Sequence, residues 1–199
     1  MLKANGLWFR YGRRLPWVIE NQTLAIAPGE RVALVAPSGR GKTTLSKLLA
    51  GYLQPQQGQI RLDDRPLPSQ GYCPIQLIFQ HPELAINPRW RIDQSLNEAP
   101  RPSPEILAAL GIQPGWLQRY PHELSGGELQ RLAIARVLTP ATRYLIADEM
   151  TAMLDANTQA LIWQVVLEFA QEHGVGLVVI SHSEALLGRI CERAIALGG

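Results

Sequence analysis

The run Val35-Ala36-Pro37-Ser38-Gly39-Arg40-Gly41-Lys42-Thr43-Thr44 follows an apolar segment and opens a helical pattern. Gly39 and Gly41 can leave ordinary φ/ψ space, so backbone N–H groups of such a loop can approach oxygen atoms closely. Lys42 brings a positive charge that reaches β- and γ-phosphates. Thr43 brings a hydroxyl suited to Mg²⁺, at a helix start that already favours anions. Ser38, Arg40 and Thr44 are the remaining candidate nucleotide contacts of the loop. The strict phosphate-loop pattern has Gly where Ala36 stands. A glycine turn that merely caps a helix is the competing reading, and Gly-Lys-Thr directly after an apolar strand favours the phosphate site.

A second candidate lies at Arg143-Tyr144-Leu145-Ile146-Ala147-Asp148-Glu149, an apolar strand ending in two carboxylates. In a parallel α/β sheet, ligands collect at the carboxyl ends of strands, where the phosphate loop also sits. There Asp148 can hold Mg²⁺ directly or through water, and Glu149 can polarise an attacking water. Alone, a strand ending in solvated acids means little. Beside a phosphate loop it points to triphosphate hydrolysis.

The third stretch is Tyr120-Pro121-His122-Glu123-Leu124-Ser125-Gly126-Gly127-Glu128-Leu129-Gln130-Arg131. Ser125 and Glu128 have the spacing of a capping box. Two glycines in a helix's first turn cost about 1 kcal/mol each relative to alanine, which a cap alone does not require. Bare backbone at a helix N-terminus does suit close approach to a phosphate.

The elements that must position these groups alternate. Strand-like runs lie at Val32–Val35, Gln59–Leu62, Ile75–Phe79, Tyr144–Ala147 and Leu177–Ile180, several of them continuously apolar as in strands covered on both faces. Helical patterns occupy Thr43–Ala50, Glu128–Leu138 and Asn157–Glu172. This alternation predicts an α/β fold with a mainly parallel sheet. The first thirty residues instead read as antiparallel strands turning at Tyr11–Arg14 and Pro28-Gly29-Glu30. Residues 82–121 are proline-rich, with a stiff connector at Pro100, Pro102 and Pro104 before a short helix, Glu105–Leu110. The expectation is one domain over residues 1–199, with a helical subdomain at about 82–135 inserted in the α/β core.

Composition excludes several classes. Hydrophobic residues at 46% and charged residues at 18% describe a globular chain rather than a disordered one. A net charge of +2 with scattered basic residues argues against a nucleic-acid partner. Cys73 and Cys191 are too few for a disulfide framework and read as ordinary buried thiols. The start Met1-Leu2-Lys3-Ala4-Asn5 lacks a signal-peptide core, and no apolar run approaches the roughly 20 residues of a membrane span.

Leu124–Glu128 resembles the Leu-Ser-Gly-Gly-Gln signature of the ABC ATPase family, with the common variation Glu for Gln at Glu128. The resemblance runs from about Leu7 to the C-terminus. It implies a P-loop NTPase (RecA-like) core with an N-terminal antiparallel β subdomain and a helical insertion. It also implies that ATP with Mg²⁺ is sandwiched between one subunit's phosphate loop and the other subunit's Ser125, Gly126, Gly127 and Glu128. In the family's order, Tyr11 matches the aromatic that stacks on adenine. Gln80 matches the Q-loop residue that senses Mg²⁺ and links to the membrane partner, and Asp155 the D-loop that crosses to the second subunit. Glu149 matches the residue that orients water, and His182 the switch histidine on the γ-phosphate. Each has a blander reading: hairpin aromatic, solvated strand end, helix cap, structural histidine. Two departures stand out. Met150 replaces the usual Pro after Glu149, and the chain stops at Ala196-Leu197-Gly198-Gly199, so a C-terminal extension of the family's usual kind is expected to be lacking.

The continuation Gln80-His81-Pro82-Glu83-Leu84-Ala85-Ile86-Asn87-Pro88-Arg89 is similar to the peptide/nickel (metallophore) importer branch. That branch implies a peripheral protein on the cytoplasmic face of the bacterial inner membrane, energising import of peptides, nickel or metal chelates. Its partners would be integral permease subunits, a second ATP-binding subunit (a heterodimer, with a homodimer as the alternative) and, indirectly, a periplasmic or lipoprotein solute-binding protein. Competing readings are a soluble assembly of the phosphonate-degradation kind and a DNA-repair or translation ATPase. The latter's paired cassettes and long insertions are not found in this sequence.

Overall fold

The computed structural model describes residues 1–197 of the chain; Gly198 and Gly199, part of the ending noted above, lie outside the described residues. In β1 (Leu2–Phe9) the buried side chains are Leu2 and Ala4, then Leu7 and Phe9. That break in alternation coincides with register shifts between Ala4 and Leu7 and with a left-handed Gly6 (φ 57°). An extra residue there turns the following side chains back to the buried face. β1 pairs antiparallel with β2 (Ile19–Ile26) and β4 (Gln57–Leu62), and β4 with β5 (Arg65–Pro66), giving the order β2-β1-β4-β5. The run expected at Gln59–Leu62 therefore belongs to the antiparallel sheet.

The second sheet has the order β6-β7-β8-β3-β9, with every neighbour parallel. Its strands are β3 (Arg31–Val35), β6 (Ile75–Ile78), β7 (Tyr144–Asp148), β8 (Gly176–Ile180) and β9 (Arg193–Ala196). Along β7 and β8, Leu145, Ala147, Leu177 and Val179 enter one apolar cluster, while Tyr144, Ile146, Val178 and Ile180 enter another. A strand covered on both faces has no polar side, which is why these runs are continuously apolar. The first cluster takes in α5 (Ala156–His173) and much of the helical region. The second takes in the antiparallel sheet and α1 (Lys42–Leu49).

Tyr144 ties the two sheets together. Its buried hydroxyl accepts from Leu2 N (3.0 Å) and donates to Ile26 O (2.9 Å). Its ring lies on Gly176, where a Cβ would come within 2.4 Å of the ring.

Between β6 and β7 run α2 (Ile92–Leu96), α3 (Pro104–Ala109) and α4 (Gly126–Ala135), with short 3₁₀ turns between them. After β8 comes α6 (Glu184–Ile190). Some boundaries differ from the sequence expectation. β6 ends at Ile78, and the carbonyl of the next residue, Phe79, accepts from the Gln130 side chain. α4 begins at Gly126, directly after its Ser125 cap. α2, α6 and β9 carry no sequence signal strong enough to be expected. The two cysteines are partly rather than fully buried, and burial pushes both thiols up, Cys191 to about 11.

Candidate functional site

Four adjacent strands deliver the expected groups to one edge of the parallel sheet. In the order β6-β7-β8-β3, the carboxyl ends lead to Gln80, to Asp148 and Glu149, to His182, and to the loop ending at Lys42. Only neighbouring parallel strands can bring groups so far apart in sequence to a common edge.

The phosphate loop joins β3 to α1. Gly39 (φ 77°) and Gly41 (φ 87°) are both left-handed, and a Cβ on Gly41 would sit 2.9 Å from Val18 O and 3.0 Å from Ile19 Cδ1. Gly41 is thus required by conformation and by space. No side chain caps α1 and its first turn holds no acid, so its leading amides and positive end are available to an anion. Lys42 Nζ donates to Ala36 O (2.8 Å) and Pro37 O (3.2 Å), folded over the loop. Ser38, Gly39 and Arg40 are exposed, as is Thr43, while Thr44 is buried. Thr44 Oγ1 meets the Tyr11 hydroxyl at 3.0 Å, and the exposed Tyr11 ring stands edge-on to Phe9. The aromatic expected over adenine is therefore attached to the phosphate-loop helix.

Asp148 ends β7 and is 6% exposed. Burial pushes its carboxyl above the usual range; the hydrogen bond with Thr43 and the charges of Lys42 and Lys47 pull the other way, while Glu149 adds to the rise. A buried carboxylate beside a threonine hydroxyl is a hard-oxygen pair whose unfavourable charge a divalent cation would relieve. The residues present fit Mg²⁺ bound together with phosphate oxygens. Among the described residues there is no cluster of three His, Cys, Asp or Glu of the kind that holds a metal without such help.

Glu149 adopts φ 50°, a left-handed conformation uncommon outside glycine. Its N–H donates to Ile180 O (3.0 Å) and its carbonyl accepts from Ala152 N (3.1 Å), which holds the strained residue in place. This turn directs Oε1 to within 2.9 Å of His182 Nε2. Met150, the departure from the usual Pro, is buried in the larger apolar cluster with Trp163.

Two candidates have local partners instead. Asp155 caps α5, accepting from Asn157 N (3.1 Å), Thr158 N (3.0 Å) and Thr158 Oγ1 (2.6 Å). These bonds, Thr158 first, hold its carboxyl below the usual range. Ser125 and Glu128 close a capping box: Glu128 N donates to Ser125 Oγ (3.3 Å) and Ser125 N to Glu128 Oε2 (2.7 Å). Ser125 and Gly126 are exposed, and a Cβ on Gly126 would meet nothing within 4 Å. Gly127 O also accepts from Arg131 Nε (3.4 Å) and Ser125 O from Leu129 N (2.9 Å). Among the described residues, the hydrogen bonds of this tip therefore stay within α4 and its cap and do not reach the phosphate loop. Sequence reasoning also missed Gln56, whose amide brackets Arg10 by accepting from its N–H (3.0 Å) and donating to its carbonyl (2.8 Å), next to Tyr11. An exposed glutamine after a proline carries no sequence signal for that role.

The family model of ABC transporters matches residues 19–152, more than half of the chain. The chain belongs to the ABC transporter family. That match takes in the phosphate loop, Gln80, the Ser125 tip and the acidic strand end; Tyr11, Asp155 and His182 lie outside it. Among curated ABC proteins, the chain is 29% identical to the putrescine export system ATP-binding protein SapF of Escherichia coli K12, over 96% of this chain and 76% of that one. It is 32% identical to the nickel import ATP-binding protein NikE of Rhodospirillum rubrum, over 90% of this chain and 72% of that one. A dimeric post-hydrolysis state of the ATP-binding cassette MJ0796, bound to ADP and Pi, superposes with a TM-score of 0.83 at 25% identity, covering 99% of this chain and 94% of that one. The fold is that of an ABC cassette with a P-loop NTPase core, and the chain is an ATP-binding ABC-type ATPase.

Proposed function

We propose that the chain is the motor subunit of a bacterial ABC importer for peptides, nickel or metal chelates, working as one of two cassettes that close on two ATP molecules. The observation that carries this is a division within the chain. The sheet edge gathers Lys42, Asp148, Glu149 and His182, while the Ser125–Gly127 tip, exposed at Ser125 and Gly126, has its hydrogen bonds elsewhere. A second cassette's tip is what would complete the pocket. The likenesses to the dimeric cassette and to the nickel import protein support this reading, and the peptide/nickel branch resemblance favours a heterodimer.

In this mechanism Tyr11 stacks on adenine. Lys42, Ser38, Arg40, Thr44 and the amides of Gly39 and Gly41 hold the phosphates, and Ser125–Glu128 and Asp155 act across the dimer. Thr43, Asp148 and Gln80 would hold Mg²⁺, whose charge offsets that of the β- and γ-phosphates. Glu149 accepts a hydrogen bond from the attacking water and orients it in line. As the water oxygen bonds to the γ-phosphorus, its proton passes to the Glu149 carboxylate, and the bond to the bridging oxygen breaks with its electron pair leaving on ADP. Glu149 then returns the proton to the phosphate product. His182 gives up its contact with Glu149 to donate to the γ-phosphate. Positioning and electrostatics supply most of the acceleration in such transfers.

The chain forms one cassette, its helical subdomain at about 82–135 passing the closing motion to a permease. Among the described residues no helix is long and apolar enough to cross a membrane. In this reading the membrane spans belong to permease subunits, and the chain sits on their cytoplasmic face. Copurification from detergent extracts of bacterial membranes is the test. Recovery with a multi-span permease, and ATP-dependent uptake after reconstitution, are expected; recovery in a soluble complex, or ATP-dependent efflux, would overturn the importer reading.

A further inference from the structure

Gln130 of α4 and Arg136, the residue that caps its C-terminal end, reach back to the main chain on either side of Gln80. Gln130 Nε2 donates to the carbonyl of Phe79 at 3.2 Å, directly before Gln80. Arg136 Nη1 donates to the carbonyl of Ala85 at 2.9 Å, at the end of the 3₁₀ turn Pro82–Leu84. Arg136 also pairs through Nη2 with Glu98, 2.8 Å away, which lies just beyond α2. The loop carrying Gln80 is therefore held at both flanks by one helix. The N-terminal end of that helix is the Ser125–Gly127 tip.

These are costly residues to place there. Gln130 is 3% exposed, and its Oε1 and the Nε of Arg136 are buried with no hydrogen-bond partner among the described residues. Burying a polar atom without a partner is unfavourable, so apolar packing alone would not favour these side chains. What an apolar side chain cannot do is hold a main-chain carbonyl.

We propose that Gln130 and Arg136 are positioning residues for ATP hydrolysis. They lock the main chain around Gln80 to α4, so that Gln80 and the Ser125–Gly127 tip move as one body. This rests on the reading above, in which Gln80 serves the nucleotide on its own phosphate loop and the tip serves the nucleotide on the partner's. The strap then links the two nucleotides of the dimer: ordering of Gln80 at one site sets the tip for the other.

The test compares Gln130→Met, Arg136→Met and Arg136→Lys in the assembled complex. Both Met variants are expected to keep KM within about twofold while kcat falls about tenfold to a hundredfold, the scale of a small misplacement at a reacting centre. Arg136→Lys, which keeps a donor, should recover most of the loss. The double Met variant should be little worse than either single one, since both cut the same strap. Each Met variant leaves a main-chain carbonyl without its donor, so melting temperatures are expected to fall by a few degrees, while kcat measured well below the transition falls independently of that loss. Unchanged kcat, a failure of Lys to rescue, or losses that track melting temperature would overturn the proposal. Should a variant fail to fold, amide exchange on the Glu149→Gln complex decides: residues 80–86 and 125–129 should slow together on adding ATP, and slowing of the first without the second would overturn the strap. Lys42→Ala separates the two levels. If it still binds ATP, the nucleotide reading itself fails; if it does not and the strap variants turn over normally, only the strap fails.

Discussion

Glu149 Oε1 lies 2.9 Å from His182 Nε2, although the two residues follow different strands, β7 and β8. The contact depends on the left-handed turn at Glu149, which an unstrained strand end would not make. One carboxylate oxygen is thereby engaged and the other left for a water. Glu149→Gln should retain ATP affinity while lowering turnover by about 10²–10⁴, the usual worth of a positioned base. Phosphate release together with equilibrium nucleotide binding measures both, and near-normal turnover would remove Glu149 from its role.

Asp148 predicts a conflict between stability and function. Its carboxyl is raised by burial, so its contribution to stability is fully present below the unfolded carboxylate value of 3.8 and lost as pH rises through the folded value. At neutral pH the charged form is therefore a burden. Asp148→Asn should melt higher at pH 7, on the order of 2–4 °C per kcal/mol recovered, with the gain shrinking toward pH 4. ATPase activity should fall in the same protein. A lower melting temperature at pH 7 would show that Asp148 is stabilised by its neighbours after all.

The two loop glycines should respond unequally to alanine. Gly39 needs only its left-handed φ of 77°, with open space around it; Gly41 needs φ 87° and clearance from Val18 O. The left-handed backbone costs about 1–2 kcal/mol in either case. Gly41→Ala must in addition push the loop away from β2, so its ATP affinity should fall well below that of Gly39→Ala. Titration of both variants with a fluorescent ATP analogue checks this, and equal losses would refute the packing argument.

Tyr144→Phe removes one hydroxyl and leaves two buried main-chain groups, Leu2 N–H and Ile26 C=O, without that partner. Each such group costs about 1–3 kcal/mol, so the variant should lose that much or more in urea unfolding. With the sheet edge untouched, ATP affinity below the melting transition should stay close to wild type.

What could be read along the chain was local. The phosphate loop, the Ser125–Glu128 box, the Asp155 cap and the acidic end of β7 each depend on atoms within a few residues of one another, so residue type and spacing determine them. The α/β class was legible for the same reason, because two-sided burial writes itself as continuous apolar runs.

Tertiary structure decided the rest. Apolar strands such as those around Leu145, Leu177 and Val32 are interchangeable as sequence, and only their packing sets the order β6-β7-β8-β3 that brings Gln80, Asp148, Glu149, His182 and Lys42 to one edge. The same holds for the Phe79 carbonyl just past the end of β6, which accepts from Gln130 51 residues away, and for the left-handed Glu149. Long-range hydrogen bonds and backbone strain are properties of the folded chain as a whole, and no window of sequence contains them.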